Sequence, residues 1–233
     1  MNRTRFVSTC AFLLGCFAAP SFAADAPLPA SHTVVLVRHG NYVPDPAADA
    51  KLGPGLSPLG LAQSQLAGAR LSAQARFDGL YVSPLQRARD TAAAMAADFP
   101  SRRFEVIDDL AECTPPVRGT PAATPEEAKA QADCKAQLDK VFARFFKPAA
   151  GSEHTEMFVC HGNVIRYLVT RALGVDSTAW LSMSVGHASM TTIRIEADGT
   201  MRVIAVGDVG HVPPTMRTGA LGDPERALAL PGR

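Results

Sequence analysis

Residues Thr33-Val34-Val35-Leu36-Val37 form an unbroken aliphatic and β-branched run that passes straight into Arg38-His39-Gly40. Polar residues do not alternate with apolar ones along it. That is the pattern of a strand covered on both faces, as in the interior of a parallel sheet. Parallel strands need crossover connections, so this segment already demands an α/β architecture with helices on both sides of the sheet. It also locates function. Charge is not tolerated inside a buried sheet, so Arg38 and His39 must emerge where the strand ends. The carboxyl edge of an open α/β sheet is where ligands bind.

The same grammar recurs along the chain. Leu80-Tyr81-Val82 is a short buried strand that runs into Ser83-Pro84-Leu85-Gln86-Arg87. Phe104–Ile107 is a third strand, left through Asp108–Glu112, and Met157–Cys160 is a fourth that ends in His161-Gly162-Asn163. Between them lie helix signals. Ser57-Pro58 and Ser83-Pro84 each offer an N-cap followed by proline at the first helical position. Thr124-Pro125-Glu126-Glu127 is a capping box, and Leu138, Val141, Phe142 and Phe145 continue it at helical spacing to about Lys147-Pro148. Ile165, Leu168, Val169 and Ala172 share one helical face that stops at Gly174, and Asp176–Leu181 reads as a further short helical turn. Met190–Ile195 and Met201–Val206 flank Ala197-Asp198-Gly199-Thr200, a hairpin turn by its Asp-Gly. The tail from Pro213 reads as irregular. Residues 24–233 are thus expected to form one α/β domain: a three-layer sandwich with a mostly parallel central sheet, helices on both faces and a C-terminal antiparallel hairpin.

At 47% hydrophobic and 19% charged residues, the chain can bury a substantial core, and its net charge of +1 gives no basis for binding nucleic acid or an anionic membrane. Residues 1–23 read as an export signal. Arg3 and Arg5 precede the apolar stretch Phe6–Ala19, and Ser21-Phe22-Ala23 supplies small residues for cleavage. The mature chain is expected to be exported to the periplasm without a membrane span, with lipid anchoring at Cys16, in Leu13-Leu14-Gly15-Cys16, as the alternative. Export leaves Cys113, Cys134 and Cys160. Cys160 sits in an apolar run and is expected to be buried and inert. Cys113 and Cys134 flank a loop-rich stretch and are expected to bridge in an oxidising compartment.

Three strand ends therefore carry Arg38-His39, Ser83 to Arg87 and His161-Gly162. Two arginines and two histidines at one sheet edge, backed by helix N-termini, make an anion site, and phosphate matches guanidinium forks. A metal centre is disfavoured, because the neighbours of the histidines are arginines and no His-x-x-His or Cys-x-x-Cys spacing exists. A neutral imidazole can attack phosphorus and carry the phosphoryl group. The leaving alkoxide needs a proton, for which Glu112 is placed first, with Asp108 and Asp109 as alternatives.

Arg38-His39-Gly40, Leu56-Ser57-Pro58-Leu59-Gly60 with Gln65, Ser83-Pro84-Leu85-x-Arg87-Ala88, an acid after the third strand and a late His161-Gly162 together resemble the histidine phosphatase, or phosphoglycerate-mutase-like, superfamily. Phe158 to Tyr167, Arg171-Ala172-Leu173, Trp180-Leu181 and Gly207 to Pro214 are similar to its mitochondrial serine/threonine protein phosphatases, except that Cys113 stands where those carry glycine. The resemblance implies a metal-independent phosphomonoesterase that needs no cofactor. His39 would be the phosphohistidine, Arg38, Arg87 and His161 would bind the phosphoryl group, Glu112 would be the general acid and base, and Asn41 would be a further phosphate contact. The partner would be a phosphorylated small molecule or phosphoprotein, with segment 113–135 roofing the site. A phosphoglycerate-mutase-type phosphotransferase and a non-catalytic phospho-ligand binder are the alternatives. His187 and His211 fall outside the matched positions and read as structural or surface histidines, with a place near the pocket as the alternative for either; His32 and His154 carry no case.

Overall fold

The computed structural model describes residues 27–74 and 76–219. The expected export signal and the Cys16 anchor lie outside them. The strands are β1 (Pro29–Ala30), β2 (His32–Arg38), β3 (Gly79–Val82), β4 (Glu105–Val106), β5 (Ala149–Ala150), β6 (His154–Cys160), β7 (Met190–Ile195) and β8 (Met201–Asp208). The helices are α1 (Pro58–Gln74), α2 (Gln86–Met95), α3 (Pro125–Phe145) and α4 (Gly162–Ala172). A six-stranded sheet runs in the order β4-β3-β6-β2-β7-β8. β4, β3, β6 and β2 pair in parallel, while β7 joins β2, and β8 joins β7, in antiparallel fashion.

The apolar run of β2 does what its composition requires. Val34 and Leu36 enter the core with Leu138, Val141 and Phe145 of α3 and Ile165 and Leu168 of α4. Val35 and Val37 enter a second core with Ala67 and Leu71 of α1 and Ala88, Ala92 and Met95 of α2. The sheet is thereby covered on both faces around β2, while β4 and β8 at its edges carry exposed side chains. Among the described residues no helix is long and apolar enough to cross a membrane.

Several local expectations hold. Ser57 Oγ accepts from Gly60 N at 3.0 Å and caps α1. Thr124 accepts from Glu127 N and caps α3, with Pro125 behind it. Gly199 takes φ +86° in the hairpin turn. Cys113 and Cys134 are bonded, and Cys160 is free and buried. Cys134, however, lies within α3, so the bond ties the loop after Glu112 to a rigid helix face. The first half of 113–135 is loop, held by Trp180 Nε1 donating to Pro116 O at 3.0 Å and Arg118 N to Thr178 O at 2.9 Å.

Others need correction. Ser83 does not cap α2, which begins at Gln86 with Leu85 at the cap position. Pro84 forces Ser83 into extended backbone, and its hydroxyl turns to His161 instead, at 2.7 Å from Nε2. Residues 24–31, small and proline-bearing, suggest a tether by sequence, but Pro29 and Ala30 pair with Ala150 and Ala149. Of the tail, residues 213–219 are described; they form the 3-10 turn Pro214–Met216 and then return to the site, as described below.

Gly40 ends β2 without a left-handed turn; its role is close approach. A Cβ on Gly40 would lie 2.4 Å from Gly60 O, and one on Gly60 would lie 1.9 Å from Asn41 O. The loop carrying His39 is thus pressed backbone-to-backbone onto the first turn of α1. Gly60→Ala is expected to destabilise the protein by about 3 kcal/mol and to lower Tm by roughly 10 °C, read by thermal unfolding. An unchanged Tm would mean that α1 can back away.

Candidate active site

Parallel β2, β3 and β6 all deliver their last residues to one edge, and β7, running the opposite way, begins there. The side chains that converge are Arg38 and His39 from β2, Ser83 after β3, Arg87 from the first turn of α2, His161 after β6 and His187 just before β7. His39, His161 and His187 are 2%, 0% and 1% exposed. The ring of His39 lies 5.1 Å from that of His161 and 5.4 Å from that of His187.

Hydrogen bonding fixes the form of His39. Nδ1 lies 2.8 Å from Gly40 O, which can only accept, so Nδ1 carries the proton. Nε2 therefore presents a lone pair, and Arg87 Nε donates to it at 3.1 Å. Burial, reinforced by His161, Arg38 and Arg87, holds the His39 pKa well below the ordinary histidine value. The imidazole is neutral, aimed and unprotonated at Nε2. Tyr42 lies under the Arg87 guanidinium, 5.1 Å from its centre.

Arg38 is held by main chain from two distant segments. Its Nη1 donates to Val185 O at 2.6 Å and to Gly219 O at 2.8 Å, and its Nη2 reaches His187 Nε2 at 3.1 Å. A guanidinium only donates, so His187 Nε2 accepts, and its Nδ1 proton faces Thr218 Oγ1 at 2.9 Å. Burial lowers the Arg38 pKa to about 10, against the pull of Glu112. Burial, then Arg38, lowers that of His187 to about 3. Both Arg38 Nε and His161 Nδ1 are buried with no hydrogen-bond partner among the described residues. Both nitrogens are thus available as donors to a bound anion.

Glu112 reaches the same space. Its Oε1 accepts from Asn163 N, the second residue of α4, at 3.1 Å, and its Oε2 lies 3.5 Å from His161 Nδ1. With 24% of its side chain exposed, it sits at the mouth of the site, not its floor. Burial raises its pKa, outweighing Arg87 and the Asn163 hydrogen bond. Asp108 is exposed on the 3-10 turn Asp108–Leu110 and does not compete for this place. Arg166, stacked on Trp180 at 4.9 Å, adds a third guanidinium beside Glu112 and Arg38.

The structure thus brings Arg38, His39, Arg87, Glu112 and His161 together. The Asn41 amide joins the His39 loop to the tail: its Oδ1 accepts from Ser57 Oγ at 2.7 Å and one Nδ2 proton faces Thr218 Oγ1 at 3.4 Å. The reading of His187 as a structural or surface histidine is corrected, because it touches Arg38 and faces His39. The sequence also gave no notice of Tyr42, Arg166 or Thr218. The available signal for His187 was direction alone, since a strand antiparallel to β2 must start at the edge where β2 stops. His187→Ala is expected to reduce activity on a phosphate ester about 100-fold by releasing Arg38, whereas His154→Ala, at the far end of β6 from His161, should change it less than twofold. Equal effects of the two would contradict this placement.

His39, Glu112 and His161 offer one ligand atom each within 4.8 Å of one another, a spacing that a metal ion could span. Three guanidinium groups around the same space make an anion the better match for its charge.

Comparison with known proteins adds the following. The family profile described as histidine phosphatase superfamily (branch 1) matches residues 34–208. The mitochondrial serine/threonine-protein phosphatase Pgam5 of Caenorhabditis elegans is 33% identical over 192 residues, covering 79% of this chain and 66% of that protein. Its Homo sapiens counterpart is 30% identical over 192 residues, covering 79% and 65%. This chain thus spans slightly less than two thirds of these relatives. Among solved structures, a phosphoglycerate mutase from Plasmodium falciparum superposes with a TM-score of 0.56 at 24% identity, covering 79% of this chain and 95% of that one. A mycobacterial glucosyl-3-phosphoglycerate phosphatase does so with 0.59 at 19% identity, covering 76% and 99%. These two share the fold.

Proposed function

Because this chain belongs to the histidine phosphatase superfamily (branch 1), we propose that it hydrolyses phosphomonoesters through a phosphohistidine on His39. The observation that carries the reading is the buried, neutral His39, whose Nε2 accepts from Arg87 and whose ring lies beside that of His161, itself unpartnered at Nδ1.

The steps follow from the groups present. The phosphoryl oxygens take donors from Arg38 Nε, Arg87 and His161, which stabilise the charge that spreads over them in the transition state. His39 Nε2 forms a bond to phosphorus as the ester P–O bond breaks. Glu112, whose burial raises its pKa and so favours the acid form, gives its proton to the leaving oxygen. Water then attacks the phosphohistidine, the N–P bond breaks, and the Glu112 carboxylate takes the proton that water loses. His39 returns to its neutral form, its Nδ1 still donating to Gly40 O throughout.

The names of the Pgam5 relatives make a phosphoserine or phosphothreonine side chain one substrate class, alongside phosphorylated small molecules. A disulfide beside the site suits an oxidising compartment, in keeping with export. The test is a panel of phosphoesters assayed with the purified protein, with an alkaline quench to trap label on His39. Turnover with a phosphohistidine at His39 supports the reading. Phosphate binding without turnover on any ester would make the protein a phospho-ligand binder.

A further inference from the structure

We infer that α3 positions the general acid: Glu112 is clamped on both sides by one face of that helix, and the Cys113–Cys134 disulfide is half of the clamp. The inference deepens the proposed function and rests on Glu112 acting as its proton donor.

The geometry is specific. On the chain before Glu112, Gln137 Nε2 donates to the carbonyls of Asp109 and Ala111, both at 3.0 Å. On the chain after it, Cys113 is bonded to Cys134. Cys134 and Gln137 are three residues apart in α3 and therefore point from the same face. Their helix is itself immobile, with Leu138, Val141 and Phe145 buried in the core. Three consecutive residues, Ala111, Glu112 and Cys113, are thus fixed at both ends and free only at the middle side chain.

A second layer reads this position into the site. Asn163 Nδ2 donates to Cys113 O at 3.0 Å, while Asn163 N donates to Glu112 Oε1 at 3.1 Å. Arg166 Nη2 holds Asn163 Oδ1 at 2.8 Å, so the amide cannot turn over. Asn163 therefore measures the Glu112 carboxyl against the very carbonyl that the disulfide anchors. Gln137 and the disulfide do not touch substrate; they are positioning groups for the proton transfer. Displacement of a catalytic group by about 1 Å can lower a rate by up to about 100-fold, and a positioned general acid contributes roughly 100- to 10,000-fold. Cleaving the disulfide leaves Gln137 in place, so the loss should be partial.

A leaving-group comparison separates this from a merely structural bond. A nitrophenolate departs without a proton, whereas an alkoxide needs one. The measured quantity is kcat/KM, which reports events up to phosphohistidine formation and not the later attack of water. Four proteins are compared below their own Tm: oxidised wild type, wild type reduced and kept under inert gas, Gln137→Ala, and Gln137→Ala reduced. Cys113→Ser/Cys134→Ser checks that the reductant acts through this bond. On an alkyl phosphate, reduction and Gln137→Ala should each lower kcat/KM about tenfold, and together about 100-fold. On p-nitrophenyl phosphate each should change it less than twofold, and the inhibition constant of inorganic phosphate should stay within twofold.

Equal losses on both esters with weakened phosphate inhibition would overturn the inference, since the bond would then support the whole pocket. Unchanged kcat/KM on the alkyl ester in all four proteins would also overturn it, leaving the hydrolase reading intact. Absence of turnover in the oxidised wild type would remove the hydrolase reading and this inference with it.

Discussion

Replacing His39 by alanine is expected to lower turnover of every phosphomonoester the protein accepts by at least about 10,000-fold, with inorganic phosphate binding retained within severalfold. The magnitude follows from the loss of a covalent step. Without Nε2 there is no atom for phosphorus to join, and the remaining route is direct attack by water in a pocket arranged for something else. Binding survives because Arg38 keeps all its anchors without the imidazole, and Arg87, which loses its bond to His39 Nε2, keeps its contact with the Tyr42 ring. Arg38 is fixed by Val185 O, Gly219 O and His187, and Arg87 by its seat in the first turn of α2. Steady-state rates together with phosphate competition check both halves. Residual activity above a tenth of the wild type would mean that another group is the nucleophile.

Glu112→Gln should lower kcat/KM on an alkyl phosphate roughly 100- to 10,000-fold and change the shape of its pH dependence. The signs run together. His39 has a lowered pKa, so it stays neutral and nucleophilic at acidities that would charge an ordinary histidine. Glu112 has a raised pKa, so it stays protonated at pH values that would ionise an ordinary carboxyl. Both shifts move the active window to the acid side. kcat/KM should fall as pH rises through the raised pKa of Glu112, and this limb should be absent in the glutamine variant. The substrate's own second ionisation, near pH 6, is common to both proteins and cancels in their ratio. An alkaline limb that persists in Glu112→Gln would assign it to another group.

The legible part of this chain was the part governed by local chemistry. Val34 to Val37 announced a strand buried on both faces, and the residues after it could go only to the sheet edge. Pro58 and Pro125 announced helix starts, and both stand. The same rule misled at Pro84, where a serine-proline pair looks identical in sequence but serves to turn Ser83 toward His161. What could not be read was set by topology. Phe104–Ile107 contributes only Glu105 and Val106 to the sheet, because it pairs at an edge where few partners are available. His187 became visible as a site residue only once β7 lay against β2, and Thr218 only once the tail had returned across the molecule. Asn41 could be placed beside the site, but not its amide's partners Ser57 and Thr218. Those partners are 16 and 177 residues away, distances over which residue order is silent.

That return of the tail completes the hold on Arg38. Arg38 receives one of its two carbonyl anchors from Gly219, 181 residues later in the chain, and His187 takes its Thr218 contact from the same segment. A ribosome that has made β2, β3 and β6 has already produced the nucleophile and most of the phosphate ligands, yet the arginine beside that nucleophile is still incompletely tethered. A chain cut before Thr218 would lack both contacts, and under the proposed mechanism its Arg38 would be less firmly held.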